Sequence, residues 1–245
     1  MKAIGKTDIG KVRKSNQDAF KIIKLSENAL LAVVCDGMGG ANGGYYASNN
    51  TVKVVCENVS KLFKSGMTEN QIRNLLEASV NLANVMLFQK SQSTPDLYGM
   101  GTTIVAALTV DDEVYLVHAG DSRAYIIDNY GCSQLTKDHS VVQQLIEIGE
   151  LTEVEAKGHP EKNMITRAIG IEESIELDFC VYKLSEDEAM LICTDGLTNY
   201  LDADEIYRTA KQNGYFKCLD LLINKVNELG GSDNTTVVML SSIKQ

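Results

Sequence analysis

Apolar positions recur along the chain at spacings of two and of three to four residues, which predicts a mixed α and β protein. The first strand-like blocks, β-branched and closed by turn residues, fall at residues 17–23 and 30–35. Two successive amphipathic helices follow, and we expect each to pack its apolar face on a sheet. The face of the first helix contains Ala47, Thr51, Val54, Val55 and Leu62, and that of the second contains Ile72, Leu75, Leu76, Ser79, Leu82, Ala83 and Met86.

Short strands joined by close turns occupy the rest of the chain. Because they form a meander rather than a regular alternation with helices, they favour antiparallel sheets. Two further helices are predicted at residues 204–211 and 219–229, the second ended by a pair of glycines. The remaining predicted strands cover residues 102–110, 114–119, 124–128, 134–136, 175–184, 189–193 and 235–241.

Residues 140–170 differ from the rest of the chain, because their pattern is irregular and polar with one short helical stretch at 141–148. We interpret this segment as an excursion from the core. The chain has two prolines, no low-complexity linker and no internal repeat, so no boundary between domains is indicated. We therefore predict one domain over residues 1–245.

The composition is that of a globular protein with a large core. Of the 245 residues, 44% are hydrophobic and 23% are charged, which excludes a disordered or fibrous chain. The formal net charge is −10, and no run of Lys and Arg supplies a basic patch. Such a surface repels phosphate backbones, so we expect no nucleic-acid partner. An anionic substrate would need a local group of positive charge.

The chain contains no sequence typical of a membrane or secreted protein. Its longest apolar stretch, residues 29–35, is far shorter than the ~20 residues of a membrane-spanning helix, and its first residues lack a signal-like apolar core. Its six cysteines form no C-x-x-C pair. His118, His139 and His159 are far apart along the chain and pair with no cysteine at ligand spacing, so we predict no structural zinc. We expect a cytoplasmic protein with free thiols.

Several catalytic motifs are absent from the sequence. No cysteine has an arginine six positions later, as the loop of a cysteine phosphatase requires, and no phosphate-binding P-loop is complete. Neither G-x-S-x-G nor H-E-x-x-H occurs. The sequence therefore contains no motif that supports a cysteine or serine nucleophile, or zinc bound by a helix.

Acidic residues stand at the ends of several predicted strands. Two apolar strands run directly into Asp-Gly pairs, at Asp36 and Asp195, while Asp233 precedes the last strand and Asp18 leads into the first. Carboxylates gathered at the rim of an apolar sheet would favour a hard divalent cation, with Mg²⁺ or Mn²⁺ suiting an all-oxygen donor set. Taken alone, each Asp-Gly pair is typical of a turn, so spacing leaves open whether the acids converge.

Eight short motifs, in order and spread over nearly the whole chain, resemble those of the metal-dependent protein phosphatase family, type 2C, in its compact bacterial form. Each motif alone is weak, and their shared order and spacing carry the resemblance. The motifs are RKSNQD at residues 13–18, DGMGG at 36–40, GTT at 101–103, AGDSR at 119–123, LTKDHS at 135–140, ITRAIG at 165–170, CTDGL at 193–197 and SDNTT at 232–236.

The resemblance implies an α+β fold with four layers, α-β-β-α, in which two antiparallel sheets are flanked by helix pairs. A metal cleft would lie at one end of the sheets. Residues 140–170 would form a mobile flap subdomain beside this cleft, within a single phosphatase domain.

The resemblance also implies two ions, Mn²⁺ or Mg²⁺, in that cleft. Asp36, Asp195 and Asp233 would hold one ion. Asp36, the main-chain carbonyl of Gly37, and Asp18 through a water would hold the second. The catalytic residues implied on this basis include Asp36 and Asp195.

Two more residues match functional positions of the family. Asp121 matches an acid that, together with Asp195, can bind a third and weaker ion. Arg13 matches the arginine that binds the substrate phosphate, and it would supply the local positive charge that the acidic surface lacks. Arg13 is therefore the third implied catalytic residue.

The implied activity is hydrolysis of phosphoserine and phosphothreonine in proteins by a metal-activated water, which would reverse serine/threonine kinase signalling. The implied partners are phosphorylated proteins, among them a cognate kinase and its substrates, and the implied state is a monomer. The sequence departs from the bacterial pattern at Ala41, where relatives usually have histidine, and at Gly44, where they usually have glutamate. These departures motivate an alternative, a catalytically weak or silent relative that binds phosphoproteins.

Overall fold

The computed structural model describes residues 1–242, so the predicted domain ends three residues beyond the described part. In chain order the strands are β1 (Lys2–Asp8), β2 (Asp18–Lys24), β3 (Ala29–Met38), β4 (Gly101–Thr102), β5 (Ile104–Val110), β6 (Glu113–Ala119), β7 (Arg123–Ile127), β8 (Cys132–Gln134), β9 (Asp178–Lys183), β10 (Ala189–Cys193) and β11 (Thr235–Ser241). The helices are α1 (Gly40–Leu62), α2 (Glu69–Ser93), α3 (Val141–Glu147), α4 (Glu153–Lys157), α5 (Asp195–Thr198), α6 (Ala203–Asn213) and α7 (Cys218–Glu228), and a 3₁₀ turn spans Pro95–Leu97.

The strands form two sheets that are antiparallel throughout. One sheet has the order β1-β11-β10-β7-β8. The other has the order β2-β3-β5-β6-β9, with the short β4 paired to the end of β3. The two sheets face each other across a shared apolar layer.

The central strands contain long apolar runs because both of their faces are buried. In β3, Leu31 and Val33 pack towards α1 and α2, whereas Ala32 and Val34 point into the layer between the sheets. Strand β10 divides its side chains in the same way between the α6–α7 side and the other sheet. A buried strand of this kind shows no polar alternation, so its sequence is a continuous apolar run.

Helix pairs cover the outer faces, with α1 and α2 on the sheet that contains β3 and α6 and α7 on the other. The predicted four-layer α-β-β-α fold with antiparallel sheets is therefore confirmed. Leu62, Leu82 and Met86, which were expected on buried helix faces, are exposed. The inward face of α2 is instead rotated away from Leu82 and Met86, so that Val80, Asn84 and Leu87 are buried in their place.

Several element boundaries differ from the sequence prediction. Strand β1 was not predicted, since it is a polar edge strand that forms by pairing with β11. The predicted strand 102–110 is divided into β4 and β5 at Thr103, which bonds to the main chain of Asp36 instead of continuing the ladder. Strand β8 begins two residues before the predicted strand 134–136, and helix α5 follows β10 where a turn was expected.

Residues 140–170 leave the sheets and return to them. The predicted helix 141–148 is confirmed as α3, and α4 is an additional short helix in this segment. The two ends of the segment lie together, because Ser140 and Ile165 form an isolated antiparallel bridge and Ile169 forms another with Thr102. The flap assignment stays a prediction.

The six cysteines are free thiols, and four of them are buried. Among residues 1–242, none of the helices combines the length and the apolar character that crossing a bilayer requires.

Candidate metal centre

Asp18 and Asp36 lie side by side on neighbouring strands. The β2–β3 register places them directly opposite each other at the same end of the sheet. The main chain of Asp36 is held firmly, since its N–H donates to the Thr103 hydroxyl (2.9 Å) and its carbonyl accepts from the Thr102 hydroxyl (2.7 Å). The GTT motif thus fixes the backbone that presents Asp36.

Asp195 and Asp233 come from the other sheet, where β10 and β11 are neighbours. Asp195 is the first residue of α5, and Asn199 on the next turn donates to its Oδ2 (3.0 Å). Asp233 lies just before β11, and its Oδ1 accepts from the N–H of Asn234 (2.8 Å). The end of β10 and the start of β11 lie at the same edge of the sheet, so both carboxylates lie at that edge.

Asp18 joins the two sheets. Its side chain is 7% exposed, and its Oδ2 accepts hydrogen bonds from the hydroxyls of Thr194 (2.9 Å) and Thr236 (2.7 Å) on the opposite sheet. Its Oδ1 is buried and has no hydrogen-bond partner among the described residues. The sequence reasoning missed both threonines, although polar residues inside otherwise apolar strands are a readable signal.

A cleft of about 510 Å³ opens at this end of the two sheets. Asp36, Asp121, Asp195 and Asp233 line it together with Arg13, while Asp18 lies behind Asp36. All predicted site residues therefore meet in one place, and their roles as ligands stay a prediction. The other lining residues are Lys14, Ser15, Gln17, Gly37, Met38, Gly39, Gly40, Thr103, Asn163, Ile165 and Asn234.

Gly37 and Gly44 allow the start of α1 to lie directly against the end of β3. A Cβ atom at Gly44 would lie 2.5 Å from the carbonyl oxygen of Gly37, and one at Gly37 would overlap the Gly44 carbonyl. Only residues without a side chain permit this approach. The close packing holds the main chain of Gly37 at the cleft wall.

Arg13 reaches the cleft from the loop between β1 and β2. Its Nη2 donates to Asp233 Oδ2 at 2.6 Å, and its side chain is half exposed. This hydrogen bond is the main reason that the pKa of Arg13 is raised above its ordinary value. The loop is anchored by Lys11, whose N–H donates to the carbonyl of Gly231 (2.7 Å), two residues before Asp233.

Crowding and burial make the carboxylates costly to ionise without a cation. Burial, followed by the charges of neighbouring carboxylates, raises the pKa of Asp36 well above its ordinary value and raises that of Asp195. Burial likewise raises the pKa of Asp18 and of Asp121 to about 7. A hydrogen bond with Asp36 lowers the pKa of Asp195, but it does not outweigh burial and the charge of Asp233.

These residues fit a site for hard divalent cations. The donors are carboxylate and carbonyl oxygens, and the unpartnered Oδ1 of Asp18 is buried beside them. Burial and, after it, the neighbouring carboxylates raise the pKa of Asp18 and of Asp36. Mg²⁺ and Mn²⁺ prefer oxygen donors of this kind. Cations would remove the repulsion that now opposes ionisation.

The raised pKa values predict that the metal-free protein loses stability as pH rises. Protonated Asp18 and Asp121 favour the folded state; this contribution is complete below their ordinary pKa of 3.8 and is lost as pH rises through about 7. We expect the melting temperature of the metal-free chain, measured by calorimetry, to fall between about pH 5 and about pH 8. Saturating Mn²⁺ should raise it more at the higher pH, because protons compete for the same oxygens.

The variant Asp18→Asn is the matched control for this experiment, since it removes one of the titrating groups and should give a shallower pH dependence. A melting temperature that rises over the same interval in the metal-free protein would contradict the interpretation.

A second group of titratable side chains lies beside the cleft, and we call His118, His139, Arg167 and Asp178 the base cluster. The sequence separates the two histidines, yet their rings stack with centroids 4.7 Å apart and planes 9° apart. The histidines and Asp178 include donor atoms close enough to hold an ion. However, the Arg167 guanidinium lies 3.1 Å from His139 Nε2 and 2.9 Å from Asp178 Oδ1, and parallel rings do not aim their lone pairs at one point. We therefore do not interpret this cluster as the metal centre.

Comparison with known proteins identifies the family of this chain. The family model described as protein phosphatase 2C matches residues 9–229. The serine/threonine phosphatase stp of Listeria monocytogenes is 35% identical over 98% of this chain and 95% of its own length. The structure of the S. agalactiae serine/threonine phosphatase superposes with a TM-score of 0.93 at 34% identity, covering 99% of both chains. The catalytic domain of the phosphatase PstP, solved in complex with two manganese ions, superposes with a TM-score of 0.86 at 28% identity, covering 99% of this chain and 98% of its own. The chain therefore belongs to the protein phosphatase 2C family.

Proposed function

We propose that this protein hydrolyses phosphoserine and phosphothreonine in proteins with the help of two divalent ions, Mn²⁺ or Mg²⁺. The observation that carries the proposal is the meeting of five carboxylates and Arg13 at one cleft, in a chain of the protein phosphatase 2C family. The relatives named above are serine/threonine phosphatases, which supports the same activity.

The residues of the cleft form three overlapping sets of ligands. Asp36, Asp195 and Asp233 would hold one ion, and Asp36 with the Gly37 carbonyl and Asp18 would hold the second. Asp121 and Asp195 would hold a third, weaker ion. When bound, such ions supply a nucleophilic water at neutral pH and positive charge for the phosphoryl oxygens.

Arg13 would bind the substrate phosphate. Its guanidinium stays charged at any working pH, and its planar fork matches two phosphate oxygens at once. It stands at the cleft edge with half of its side chain exposed, so a phosphate can reach it. Its second role is to hold Asp233 in place by the hydrogen bond already present.

The wider biological assignments are part of the same proposal. We infer that the substrates include a serine/threonine kinase and its targets, that the protein acts as a monomer, and that residues 140–170 serve as a flap within one phosphatase domain. The free thiols support a reducing, cytoplasmic location. The silent phosphoprotein-binding alternative has less support, because every predicted carboxylate is present and lies in or directly behind the cleft.

The proposal is tested by following hydrolysis of an aryl phosphate and of a phosphothreonine peptide. We expect turnover with Mn²⁺ and loss of at least about 99% of it in excess chelator, because the ions supply the nucleophile and the charge stabilisation. Restoring Mn²⁺ should restore activity. Full activity in chelator, or tight binding of the phosphopeptide without turnover, would refute the proposal and favour the silent relative.

A further inference from the structure

His139 of the base cluster fixes the main chain immediately before Asp121. The N–H of His139 donates to the carbonyl of Gly120 (2.9 Å), and the N–H of Gly120 donates to His139 Nδ1 (3.1 Å). Both main-chain polar groups of Gly120 are thus satisfied by one residue. Gly120 has φ +106°, and a Cβ there would lie 2.6 Å from the Thr103 side chain, so the turn that presents Asp121 is closely packed as well.

The hydrogen bond from Gly120 determines the tautomer of His139. Nδ1 of His139 accepts the hydrogen bond from the Gly120 N–H, so the ring proton of the neutral imidazole lies on Nε2. Nε2 can then donate to Asp178 Oδ2, which lies 3.3 Å away. Burial, the neighbouring His118 and Arg167 lower the pKa of His139, which keeps the ring neutral. The ring therefore connects Gly120 on one side with Asp178 on the other.

Arg167 binds Asp178 on the side of the His139 ring that faces away from Gly120. Its Nη1 donates to Asp178 Oδ1 (2.9 Å), so the carboxylate joins His139 and Arg167, and its Nη2 pairs with Glu176 (2.8 Å). The N–H of the preceding Thr166 donates to the carbonyl of His139 (2.8 Å). His118 stacks on one face of the ring, with the ring centroids 4.7 Å apart.

The base cluster includes a residue of the segment 140–170. His139 directly precedes this segment and Arg167 belongs to its returning arm, which also carries Asn163 and Ile165 to the cleft wall. The base cluster therefore connects the returning arm of the segment with the turn that presents Asp121.

We propose that His139 is a positioning residue, held by Asp178 and Arg167, that orients the Asp121 carboxylate and so sets the affinity of the ion that depends on Asp121. This inference rests on the proposed function for the identity of the ion. Groups that orient a metal ligand from behind contribute strongly to affinity, although they never touch the metal.

The test is calorimetric titration of the metal-free chain with Mn²⁺, with Asp121→Asn identifying the binding event that depends on Asp121. We expect His139→Ala to weaken that event by about tenfold. Arg167→Gln should weaken it by a smaller factor, and His139→Asn should recover most of the loss, because its side-chain oxygen can replace Nδ1 as acceptor for Gly120. The tighter events should not change.

His159→Ala is the matched control, since it removes a histidine from the same segment away from the base cluster, and it should leave every event unchanged. The double variant Asp121→Asn/His139→Ala should bind no more weakly than Asp121→Asn alone, whereas a general structural role would make the losses additive. Melting curves verify that each variant folds. If His139→Ala does not fold, the Mn²⁺ affinities of Arg167→Gln and His139→Asn test the proposal instead.

An unchanged Asp121-dependent event in the His139 and Arg167 variants would overturn the proposal, as would additive losses or the absence of any event that depends on Asp121. Because the readout is binding, it stays separate from the proposed function. A chain that binds Mn²⁺ as described but hydrolyses no phosphoester would refute the phosphatase activity and leave the positioning role standing.

Discussion

Replacing Asp36 by Asn should lower kcat/KM for an aryl phosphate by at least about 10³-fold, since loss of several kcal/mol of charge stabilisation corresponds to a factor of that order. Asp36 is the one side chain assigned to both principal ions, and the amide is a neutral and weaker donor for a hard cation. Steady-state kinetics with saturating Mn²⁺ measures the effect, and a phosphothreonine peptide should show the same loss.

The same variant should be more stable than the parent protein when both are free of metal. Asp36 is crowded by Asp18 and Asp195, and its raised pKa reports the cost of placing a charge there. Removing that charge should raise the melting temperature at about pH 8 while abolishing the stabilisation by Mn²⁺. Opposite changes in activity and stability would identify Asp36 as a functional rather than a structural acid.

Asp112→Asn is the matched control for Asp36→Asn. Asp112 is an exposed carboxylate at the turn between β5 and β6, at the far end of β5 from the cleft. Its replacement should leave kcat/KM unchanged. Retention of full Mn²⁺-dependent activity in Asp36→Asn would remove the central assignment of the site.

Replacing Arg13 by Ala should lower kcat/KM by on the order of 10²-fold, the usual cost of losing one preorganised donor to a developing negative charge. The loss should fall on KM as well as on kcat, because the guanidinium would contact the phosphate before and during the reaction. Arg13→Lys should recover only part of the activity, since an ammonium group keeps the charge but loses the fork.

Lys11→Ala tests whether the effect of Arg13→Ala is specific. Lys11 lies in the same loop and carries the same charge, but it does not line the cleft. It should behave like the parent protein in the same assay. Equal losses in the two variants would mean that the loop acts through its net charge, and would contradict a contact between Arg13 and the phosphate.

The two predicted strands with the most accurate limits are those at 189–193 and 235–241, which the structure reproduces residue for residue. Each is buried on both faces, so its apolar residues form a continuous run that marks the strand. Strand β1 escaped prediction because an edge strand with lysines and a glycine has no such run, and it depends on β11 for its hydrogen bonds. Thr103 interrupts a predicted strand for the same reason, since its partner Asp36 is distant in sequence.

The acids Asp36, Asp195 and Asp233 could be selected from the sequence, because local patterns place each at the end or the start of a strand. Their convergence could be inferred only by resemblance, since spacing along the chain carries no information about which sheet edges meet. The hydrogen bonds from Thr194 and Thr236 to Asp18, and the contacts of His139 with Gly120 and Arg167, could not be predicted from the sequence, because each joins residues that are distant along the chain.

Local apolar periodicity is a property of neighbouring residues, and it was enough to assign most strands, the long helices and the antiparallel pairing. The four layers were implied only by the family resemblance, while the oxygen donors themselves indicated the type of metal. The position of one carboxylate relative to another depends on strand pairing and on the contact between the sheets, where Asp18 accepts from Thr236, 218 residues away along the chain. The register of β2 with β3, and of β10 with β11, brings the acids together. The raised pKa values then follow from that proximity and from burial, and neither can be read from a linear chain.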